Sequence, residues 1–513
     1  MEYAIAVIDI GMTNKRVAVY DDSLHQMDAH YLVFDPLMID GIECHDLEAM
    51  EEWFTAEIKL FSEKYPIKAI SVCTHGATYV CVGNDGKTAV PCVYYTHEPQ
   101  SNTPKTGEDC SLESGDDFHR NFYETFGTKE DLQAETGTPA FKALINPAKG
   151  LFFTQKQFTD MFKNTVSVLP YPQYWGFRFT GKAGVESTYM GNHTYLWNHK
   201  ESCLSSAAHK LGMASLIPGK LYKSWDTLGN ISDDFADKTG LSKETIVTMG
   251  IHDSNSALLP HFAKKGERGF ILNSTGTWCV IMNPVEKYGF SPDELGKVVF
   301  FNISAFGTPI KTAIFLGGLE FETWSEHFQR LHKRIDIPGW NEEIYRRILK
   351  EKKLFLLPEL TKGSGQFPES RARISVNGKS YLIDSTETSP ADYETLFAVL
   401  RISLVLQTLT ALERTGIKPG YDVYTEGGFR KDESYNLLLS SYLCDNKVFL
   451  TDINEASALG AAMIAKMALS RKSLNDLAQD FEISYIEQKK DSFPELEDYR
   501  QVWLKEAWLG KKL

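Results

Sequence analysis

The chain has 513 residues, which is too long for one hydrophobic core and predicts two domains, residues 1–260 and 261–513. Apolar residues make up 42% of the sequence, and the formal net charge is −14. Because nucleic acids and anionic membranes are bound by clustered Lys and Arg, this charge argues against both kinds of partner. An anionic ligand would have to be held by local N–H groups, a few basic side chains and a metal ion.

The cysteine pattern and the start of the chain predict a cytoplasmic protein. The eight cysteines form no CxxC pair, and four of them lie in apolar, strand-like runs, where a free thiol behaves as a small hydrophobe: Cys73, Cys81, Cys92 and Cys279. The start, MEYAIAVIDIG, lacks the basic region of a signal peptide. No apolar run approaches the ~18 residues that cross a bilayer, so we expect no membrane span.

The first half alternates strand and helix patterns, which is typical of an α/β fold. Residues 4–20, AIAVIDIGMTNKRVAVY, predict a β-hairpin with a tight turn, and residues 46–65 predict an amphipathic helix. A strand at 69–73 and a second hairpin around residues 84–86 follow. Residues 101–120 are polar and rich in Gly, Ser and Asp; they predict a long surface loop that is either functional or only mobile.

The second half repeats this pattern, which suggests a duplicated domain. GFILNSTGTWCVIM, at residues 269–282, has the shape of the first hairpin. We predict further elements at 393–415 (helix), 422–426 (strand ended by two glycines), 432–443 (helix capped by Asp432), 454–468 (a helix whose small residues allow close packing) and 486–513 (a charged tail).

The two hairpin turns predict a site for a chain of phosphates. A strand that ends in Gly11, Thr13 and Asn14 offers N–H groups and a hydroxyl to a small anion. The sequence contains neither a P-loop motif nor a GxGxxG motif, so phosphate binding would depend on the hairpins. Asp9 beside such a turn predicts Mg²⁺ held through water, or else a carboxylate that caps the turn. Arg16 would neutralise phosphate charge, or be a solvated strand residue.

Asp253 is the candidate catalytic residue. It follows an apolar strand and begins a helix in TIVTMGIHDSNSALLP, where it is either a helix N-cap or a general base that accepts a proton from a hydroxyl. His252 and Ser254 flank it and could hold sugar hydroxyls. Gly427 and Gly428 would allow a flat ring such as adenine to approach the backbone, or simply form a strand-to-helix turn.

These segments, in this order, resemble the FGGY family of carbohydrate kinases. DIGMTNKR (9–16) is similar to the first phosphate motif, IHDSNSA (251–257) to the segment with the catalytic aspartate, STGTW (274–278) to the second phosphate motif, and EGGFRKDESYNLLLSSYL (426–443) with EASALGAA (455–462) to the adenosine motif. The resemblance extends to about residue 468. It implies two actin/Hsp70-like (ribonuclease H-like) domains with a cleft between them, ATP and Mg²⁺ as cofactors, and a small sugar as substrate.

Within the family, the sequences of these motifs are most similar to those of the branch that phosphorylates 6-deoxy-ketohexoses such as L-rhamnulose and L-fuculose. The resemblance implies Asp253 as the base and Asp9 near Mg²⁺. It implies ATP contacts at Gly11, Thr13, Asn14, Arg16, Gly276, Thr277, Gly427 and Gly428. It implies sugar contacts at His75, Gly76, His97, His252, Ser254 and Asn302.

Departures from the family pattern leave the sugar open. Where members carry an acidic segment that holds the sugar, this chain has YYTHEP, with His97 in place of the aspartate. A kinase for xylulose, ribulose or glycerol, a non-catalytic sugar or nucleotide sensor, and an actin- or Hsp70-like ATPase are the alternatives, and a homo-oligomer is possible.

Overall fold

The computed structural model describes residues 2–99, 116–384, 389–453 and 455–508. The predicted loop at 101–120 therefore lies mostly outside the described residues, as does residue 454. In the first half the strands are β1 (Ala4–Ile10), β2 (Asn14–Asp21), β3 (Gln26–Val33), β4 (Leu37–Ile39), β5 (Ile42–Cys44), β6 (Ile67–Thr74), β7 (Tyr79–Gly83), β8 (Thr165–Pro170), β9 (Val185–Glu186), β10 (Trp197–Asn198), β11 (Cys203–Leu204), β12 (Leu221–Tyr222), β13 (Thr227–Asn230), β14 (Ile246–Thr248) and β15 (Ile251–His252). The helices are α1 (Leu47–Ser62), α2 (Asp116–Phe126), α3 (Lys129–Thr136), α4 (Pro147–Gln157), α5 (Thr159–Phe162), α6 (Tyr171–Thr180), α7 (Ser187–Met190), α8 (Ser206–Lys210), α9 (Asp233–Thr239) and α10 (Asp253–Lys265).

The second half contains a further set of strands and helices. Its strands are β16 (Phe270–Thr275), β17 (Cys279–Pro284), β18 (Val299–Ile303), β19 (Pro309–Phe315), β20 (Leu354–Leu357), β21 (Arg373–Val376), β22 (Lys379–Leu382), β23 (Asp422–Gly427), β24 (Lys447–Thr451) and β25 (Tyr485–Glu487). Its helices are α11 (Gly317–His332), α12 (Glu342–Glu351), α13 (Tyr393–Thr415), α14 (Glu433–Tyr442), α15 (Ala456–Ser470) and α16 (Leu496–Trp508). Short 3₁₀ helices span Met213–Ser215, Gly428–Lys431 and Asn475–Gln479.

The two halves contain sheets of the same topology. In the first, β3, β2 and β1 pair antiparallel, and β6 and β14 continue the sheet parallel to β1. In the second, β19, β17 and β16 pair antiparallel, and β23 and β24 continue it parallel to β16. The strand order is therefore repeated, including an antiparallel strand at one edge, β13 in the first sheet and β25 in the second, and the second sheet has β18 added at its other edge. This repetition confirms the predicted duplicated α/β fold.

Helices α10 and α15 pack between the two sheets. Their cluster of buried apolar residues draws on both sheets, with Ile5 and Val7 from β1 and Leu272 from β16. The helices approach closely at Gly460, because this residue has no side chain. A Cβ there would lie 2.1 Å from the carbonyl oxygen of Ser256. This contact accounts for the small residues of α15. The predicted boundary at residue 260 falls inside α10, and the division into 1–260 and 261–513 stays a prediction.

Several local predictions are confirmed. The first hairpin is β1 and β2, the predicted helix at 46–65 is α1 with Asp46 as its N-cap, and the helix at 393–415 is α13. Asp432 caps α14 as expected, accepting a hydrogen bond from the Tyr435 N–H at 2.8 Å.

Three expectations are corrected. The second hairpin is only a short turn with one bridge between Val82 and Thr88, because β7 pairs with the distant β8. The predicted tail at 486–513 contains α16, whose Trp503 is buried and donates from Nε1 to the Leu356 oxygen at 2.8 Å. An apolar segment long enough to cross a membrane does exist: within the described ranges, α13 has the length and composition of such a segment. Its apolar stretch is entirely buried in the protein core.

Candidate functional site

The first hairpin turn lies at the end of β1. The Gly11 N–H donates to the Asn14 oxygen at 3.0 Å, which closes the turn, and Thr13 and Asn14 are exposed. Asp9 lies just before the turn. Its carboxylate accepts hydrogen bonds from Arg16 at 2.7 Å, from the Ser457 hydroxyl at 2.9 Å and from the Cys73 thiol at 3.1 Å. The Ser457 contact joins the turn of the first sheet to α15.

These contacts limit how Asp9 could hold a metal ion. A carboxylate offers about four lone-pair sites. Arg16 and Ser457 use two on Oδ2, and Cys73 uses one on Oδ1, which leaves one site on Oδ1. Among the described residues no group of three His, Cys, Asp or Glu side chains could hold a metal by itself. Asp9 thus fits Mg²⁺ held through a water molecule and by phosphate oxygens, and does not fit an all-protein metal site.

Arg16 has a different environment from the one expected. Its guanidinium is buried and forms ion pairs with Asp9 at 2.7 Å and with Glu455 at 2.8 Å. Burial opposes the charge, but Asp9, a hydrogen bond with Tyr31 and Glu455 together outweigh it and raise the pKa of Arg16. The Arg16 guanidinium thus contacts carboxylates of the protein itself. A direct contact between Arg16 and a phosphate stays a prediction.

Asp253 is the first residue of α10 and is not its N-cap. His252 holds the N-cap position without a side-chain capping bond. Asp253 Oδ1 accepts from the N–H of Ser254 at 2.5 Å and from its hydroxyl at 3.2 Å, and lies 3.2 Å from His252 Nε2. Asp253 Oδ2 has no hydrogen-bond partner in the part of the chain that the structure describes. One oxygen is therefore fixed and the other is free.

The neighbours of His252 determine which of its nitrogens carries the proton. The Asn255 side-chain N–H lies 3.2 Å from His252 Nδ1, and because an amide nitrogen only donates, Nδ1 accepts. Nε2 then carries the proton and lies 3.2 Å from Asp253 Oδ1. Burial lowers the pKa of His252 well below its usual value, so the ring is neutral near pH 7.

The electrostatic surroundings make Asp253 a base near neutral pH. Burial first, and the negative charge of Asp9 second, raise its pKa from 3.8 to about 7. The neighbouring histidines do not offset this effect, since burial lowers the pKa of both His75 and His193 to about 4 and leaves them uncharged. A carboxylate with this pKa can accept a proton from a hydroxyl at physiological pH.

Asp253 lines a cavity of about 220 Å³, called here the central cavity. The polar part of its lining, called here the polar wall wherever these residues lie, contains Tyr95, Asn192, His193, His252, Asp253, Ser254 and Asn302, with Gly76. The rest of the lining, called here the apolar wall, contains Ala77, Phe141, Ile145, Trp278, Val280, Phe300 and Ile314. Two buried polar atoms of the polar wall, Asn192 Nδ2 and Asn302 Oδ1, have no partner among the described residues. An unpartnered donor and acceptor suit a ligand that has hydroxyl groups.

The central cavity contains four of the six expected sugar contacts: Gly76, His252, Ser254 and Asn302. His75 and His97 are not among its lining residues. His75 is buried, with Nδ1 2.6 Å from the Gly76 oxygen, and His97 packs on Phe153 with the ring centres 5.1 Å apart. Sugar binding by either residue stays a prediction.

A larger cavity of about 610 Å³, called here the C-terminal cavity, lies beside the second hairpin turn. Gly276, Thr277 and Gly428 line it, as expected, together with the aromatic residues Phe321, Trp340 and Phe429. Gly427 does not line it. A Cβ there would lie 2.0 Å from the Thr275 oxygen, and φ is +77°, so this glycine serves the packing of β23 against β16.

The second turn separates the two cavities. Thr277 lines the C-terminal cavity and the next residue, Trp278, lines the central cavity. The 16-residue helix α11 begins beside this turn, where Gly318 packs so closely that a Cβ would lie 2.0 Å from the Gly276 oxygen. The positive end of the α11 dipole thus faces the region where the cavities meet, which favours an anionic group there.

Comparison with known proteins agrees with this arrangement. Residues 267–473 match the family model of the carbohydrate kinase FGGY C-terminal domain. This part of the chain is an FGGY C-terminal domain. The C-terminal cavity lies wholly inside it, whereas Asp253 and most of the polar wall of the central cavity precede the FGGY match.

Relatives extend the similarity beyond the FGGY domain. The chain is 26% identical over 233 residues to a rhamnulokinase from Ligilactobacillus salivarius, an alignment of 45% of this chain and 43% of that protein. The chain spans about half the length of the curated relatives it matches. A solved carbohydrate kinase from Novosphingobium aromaticivorans is 25% identical, with a TM-score of 0.79 over 99% of this chain and 98% of that one. A xylulose kinase from Lactobacillus acidophilus is 15% identical, with a TM-score of 0.77 over 98% and 96% of the two chains, and shows the fold alone. The predicted two-domain actin/Hsp70-like fold is confirmed.

Sequence reasoning missed several lining residues. Asn192 and His193 stand in a short polar segment between the buried Tyr189 and Tyr195, and that interruption of an aromatic run was an available signal. Gly318 belongs to a pair of glycines after β19, the same pattern that drew attention to Gly427 and Gly428. Tyr95 belongs to the YYTHEP segment that was compared with the sugar-holding segment of the family, but only His97 was singled out there.

Proposed function

We propose that this chain transfers the terminal phosphate of ATP to a hydroxyl group of a sugar. The observation that carries the proposal is the free Oδ2 of Asp253 in the central cavity, which is also lined by the unpartnered amide groups of Asn192 and Asn302. A carboxylate base beside a hydroxyl-binding wall suits the activation of an alcohol. The adjoining C-terminal cavity, with its aromatic and glycine lining, is large enough for a nucleotide.

In the proposed reaction, a sugar hydroxyl donates its proton to Asp253 Oδ2 as its oxygen attacks the terminal phosphorus of ATP. A new O–P bond forms, the bond between the β- and γ-phosphates breaks, and ADP leaves with that electron pair. The N–H and hydroxyl of Ser254 keep the other carboxylate oxygen occupied, so Oδ2 is the one that meets the hydroxyl. The protein contributes mainly positioning and charge stabilisation, as phosphoryl transfer requires.

The phosphates would lie between the turns at Gly11–Asn14 and Gly276–Thr277. Mg²⁺ near Asp9 would neutralise charge on the phosphate oxygens. We place the enzyme in the cytoplasm, with a small sugar and ATP as its ligands.

For the substrate class we propose a 6-deoxy ketose such as L-rhamnulose or L-fuculose. The apolar wall of the central cavity supports this choice, since Phe141, Phe300 and Ile314 offer no hydrogen bond to a terminal hydroxyl. A methyl group against this wall is stabilised by burial, while a hydroxyl there loses its water and gains no partner. That loss, about 1–3 kcal/mol, corresponds to roughly 10- to 100-fold in kcat/KM.

Matched sugar pairs test both the proposed kinase activity and the proposed 6-deoxy ketose substrate. ADP release is measured with L-rhamnulose against L-fructose and with L-fuculose against L-tagatose, because each pair differs only in the hydroxyl at carbon 6. Xylulose, ribulose and glycerol complete the panel. Preference for the deoxy member of a pair supports the substrate class, and equal rates within both pairs contradict it. Sugar binding without ADP release from any member would instead favour the sensor.

A further inference from the structure

Lys15 is a buried cation at the start of β2. Only 1% of it is exposed, although it directly follows an exposed turn. Its ammonium group donates to the Met12 oxygen at 2.7 Å and to the Thr13 oxygen at 3.3 Å. No carboxylate of the described residues forms an ion pair with it. The partners of this charge are therefore carbonyl groups of the first turn.

This burial is energetically unfavourable in the absence of a counter-charge. Loss of hydration lowers the pKa of Lys15 to about 8. A hydrophobic residue at this position would pack without that cost, and the neighbouring strand positions 17, 18 and 19 are apolar and buried. The two carbonyl contacts are the feature that an apolar side chain could not reproduce.

The contacts fix the direction of two peptide planes. In a planar trans peptide the C=O and the N–H of the next residue point in opposite directions. Lys15 draws the Met12 and Thr13 oxygens toward the protein interior, so the N–H groups of Thr13 and Asn14 point the other way. The Thr13 N–H has no acceptor in the described ranges. Adjacent N–H groups that point outward from a turn form a concave site for an anion.

We infer that Lys15 is a positioning residue that presents the first-turn N–H groups to the phosphates of the nucleotide. This inference rests on the proposed kinase function. Lys15 acts through the backbone, since its ammonium is directed inward and away from the ligand. Loss of its donors would free the turn to rotate its peptides, and nucleotide affinity would fall while the central cavity stays intact.

The test compares Lys15→Met, which keeps the length of the side chain and removes the donors, with Lys15→Arg, which keeps donors and charge. Lys68→Met is the control, because Lys68 is an exposed residue of β6 in the same sheet. Binding of ADP with Mg²⁺ is measured by calorimetry, and KM and kcat are measured for ATP and for the best sugar. Thermal unfolding of each variant shows whether the fold is retained.

We expect Lys15→Met to weaken ADP binding and raise KM for ATP by about tenfold, with KM for the sugar within about twofold of wild type. Lys15→Arg should recover most of the affinity, and Lys68→Met should match wild type. If Lys15→Met does not fold, Lys15→Gln replaces it in the test, because Gln keeps an N–H donor. Its ADP affinity should lie between that of wild type and the roughly tenfold weaker affinity expected for Lys15→Met. Unchanged ADP affinity in folded Lys15→Met or Lys15→Gln, or a rise in the sugar KM alone, overturns the inference. Absence of ADP binding by wild type would instead refute the kinase proposal itself.

Discussion

Replacing Asp253 with Asn should remove activity and stabilise the protein at the same time. Asn keeps the shape of the side chain and, through Oδ1, the bonds from Ser254, but it cannot accept a proton from the sugar hydroxyl. General-base catalysis contributes about 10²- to 10⁴-fold, so kcat should fall by at least about 10²-fold. ADP binding should persist, because the C-terminal cavity does not include Asp253.

The expected stabilisation follows from the raised pKa. An increase from 3.8 to about 7 corresponds to about 4 kcal/mol at the conversion of 1.36 kcal/mol for each factor of ten. Since 32% of the side chain is exposed, solvent screening reduces this to roughly 2 kcal/mol. The folded state binds the Asp253 proton more tightly than the unfolded state does. The contribution of Asp253 to the free energy of unfolding therefore decreases as the pH rises from about 4 to about 7. The Asp253→Asn variant has no ionisable group at this position and would show no such loss.

The assay is thermal unfolding of both proteins at pH 5 and pH 8, with Asp237→Asn, an exposed position, as control. Because part of this effect is already lost by pH 5, about 1.2 kcal/mol separates pH 5 from pH 8, and the Tm advantage of Asp253→Asn should be roughly 1–3 °C greater at pH 8 than at pH 5. In wild type, kcat/KM should also decline below about pH 7 as the base becomes protonated. A variant that keeps more than about a third of the wild-type kcat refutes the catalytic role. A Tm advantage that is equal at both pH values refutes the argument from buried charge.

Two glycine substitutions probe the packing of the site, with Gly289→Ala as control because an added Cβ there meets nothing within 4 Å. Gly76→Ala would bring a Cβ within 2.4 Å of Asn192 Nδ2, and steady-state kinetics should show KM for the sugar raised about tenfold with KM for ATP unchanged. Equal changes in both KM values would count against the placement of Gly76 in a sugar site. Gly460→Ala would force a Cβ to within 2.1 Å of the Ser256 backbone, and calorimetric unfolding should show a loss of about 3 kcal/mol or more. Wild-type stability in that variant would contradict the close contact of α10 with α15.

The features that sequence reasoning found are those encoded by neighbouring residues. The turn at Gly11–Asn14, the N-cap at Asp432 and the position of Asp253 at the start of a helix depend on a few adjacent side chains, and local chemistry determines them. The repeated hairpin predicted a duplicated domain, whereas the actin/Hsp70-like fold was implied by the resemblance of the motifs to FGGY carbohydrate kinases.

The features that it missed depend on distant segments. Trp278 and Asn192 share the central cavity although 86 positions of sequence separate them, and no local pattern indicates that they meet. Helix α13 was predicted with its correct bounds, but not its burial on all sides, and the length of its apolar sequence was underestimated. Arg16 faces Asp9 across the predicted hairpin, a contact that sequence reasoning overlooked, whereas its second partner, Glu455, comes from the distant start of α15.

The position of Thr277 and Trp278 on opposite sides of one turn has a kinetic consequence for the proposed enzyme. A sugar that contacts the Trp278 ring restricts the same backbone whose preceding residue would hold the phosphates. In the proposed enzyme, occupancy of one cavity would reach the other through a single peptide unit, without a long relay across the protein. An empty central cavity would leave that peptide unrestrained and the phosphates poorly aligned, which protects ATP from transfer to water until the acceptor is in place.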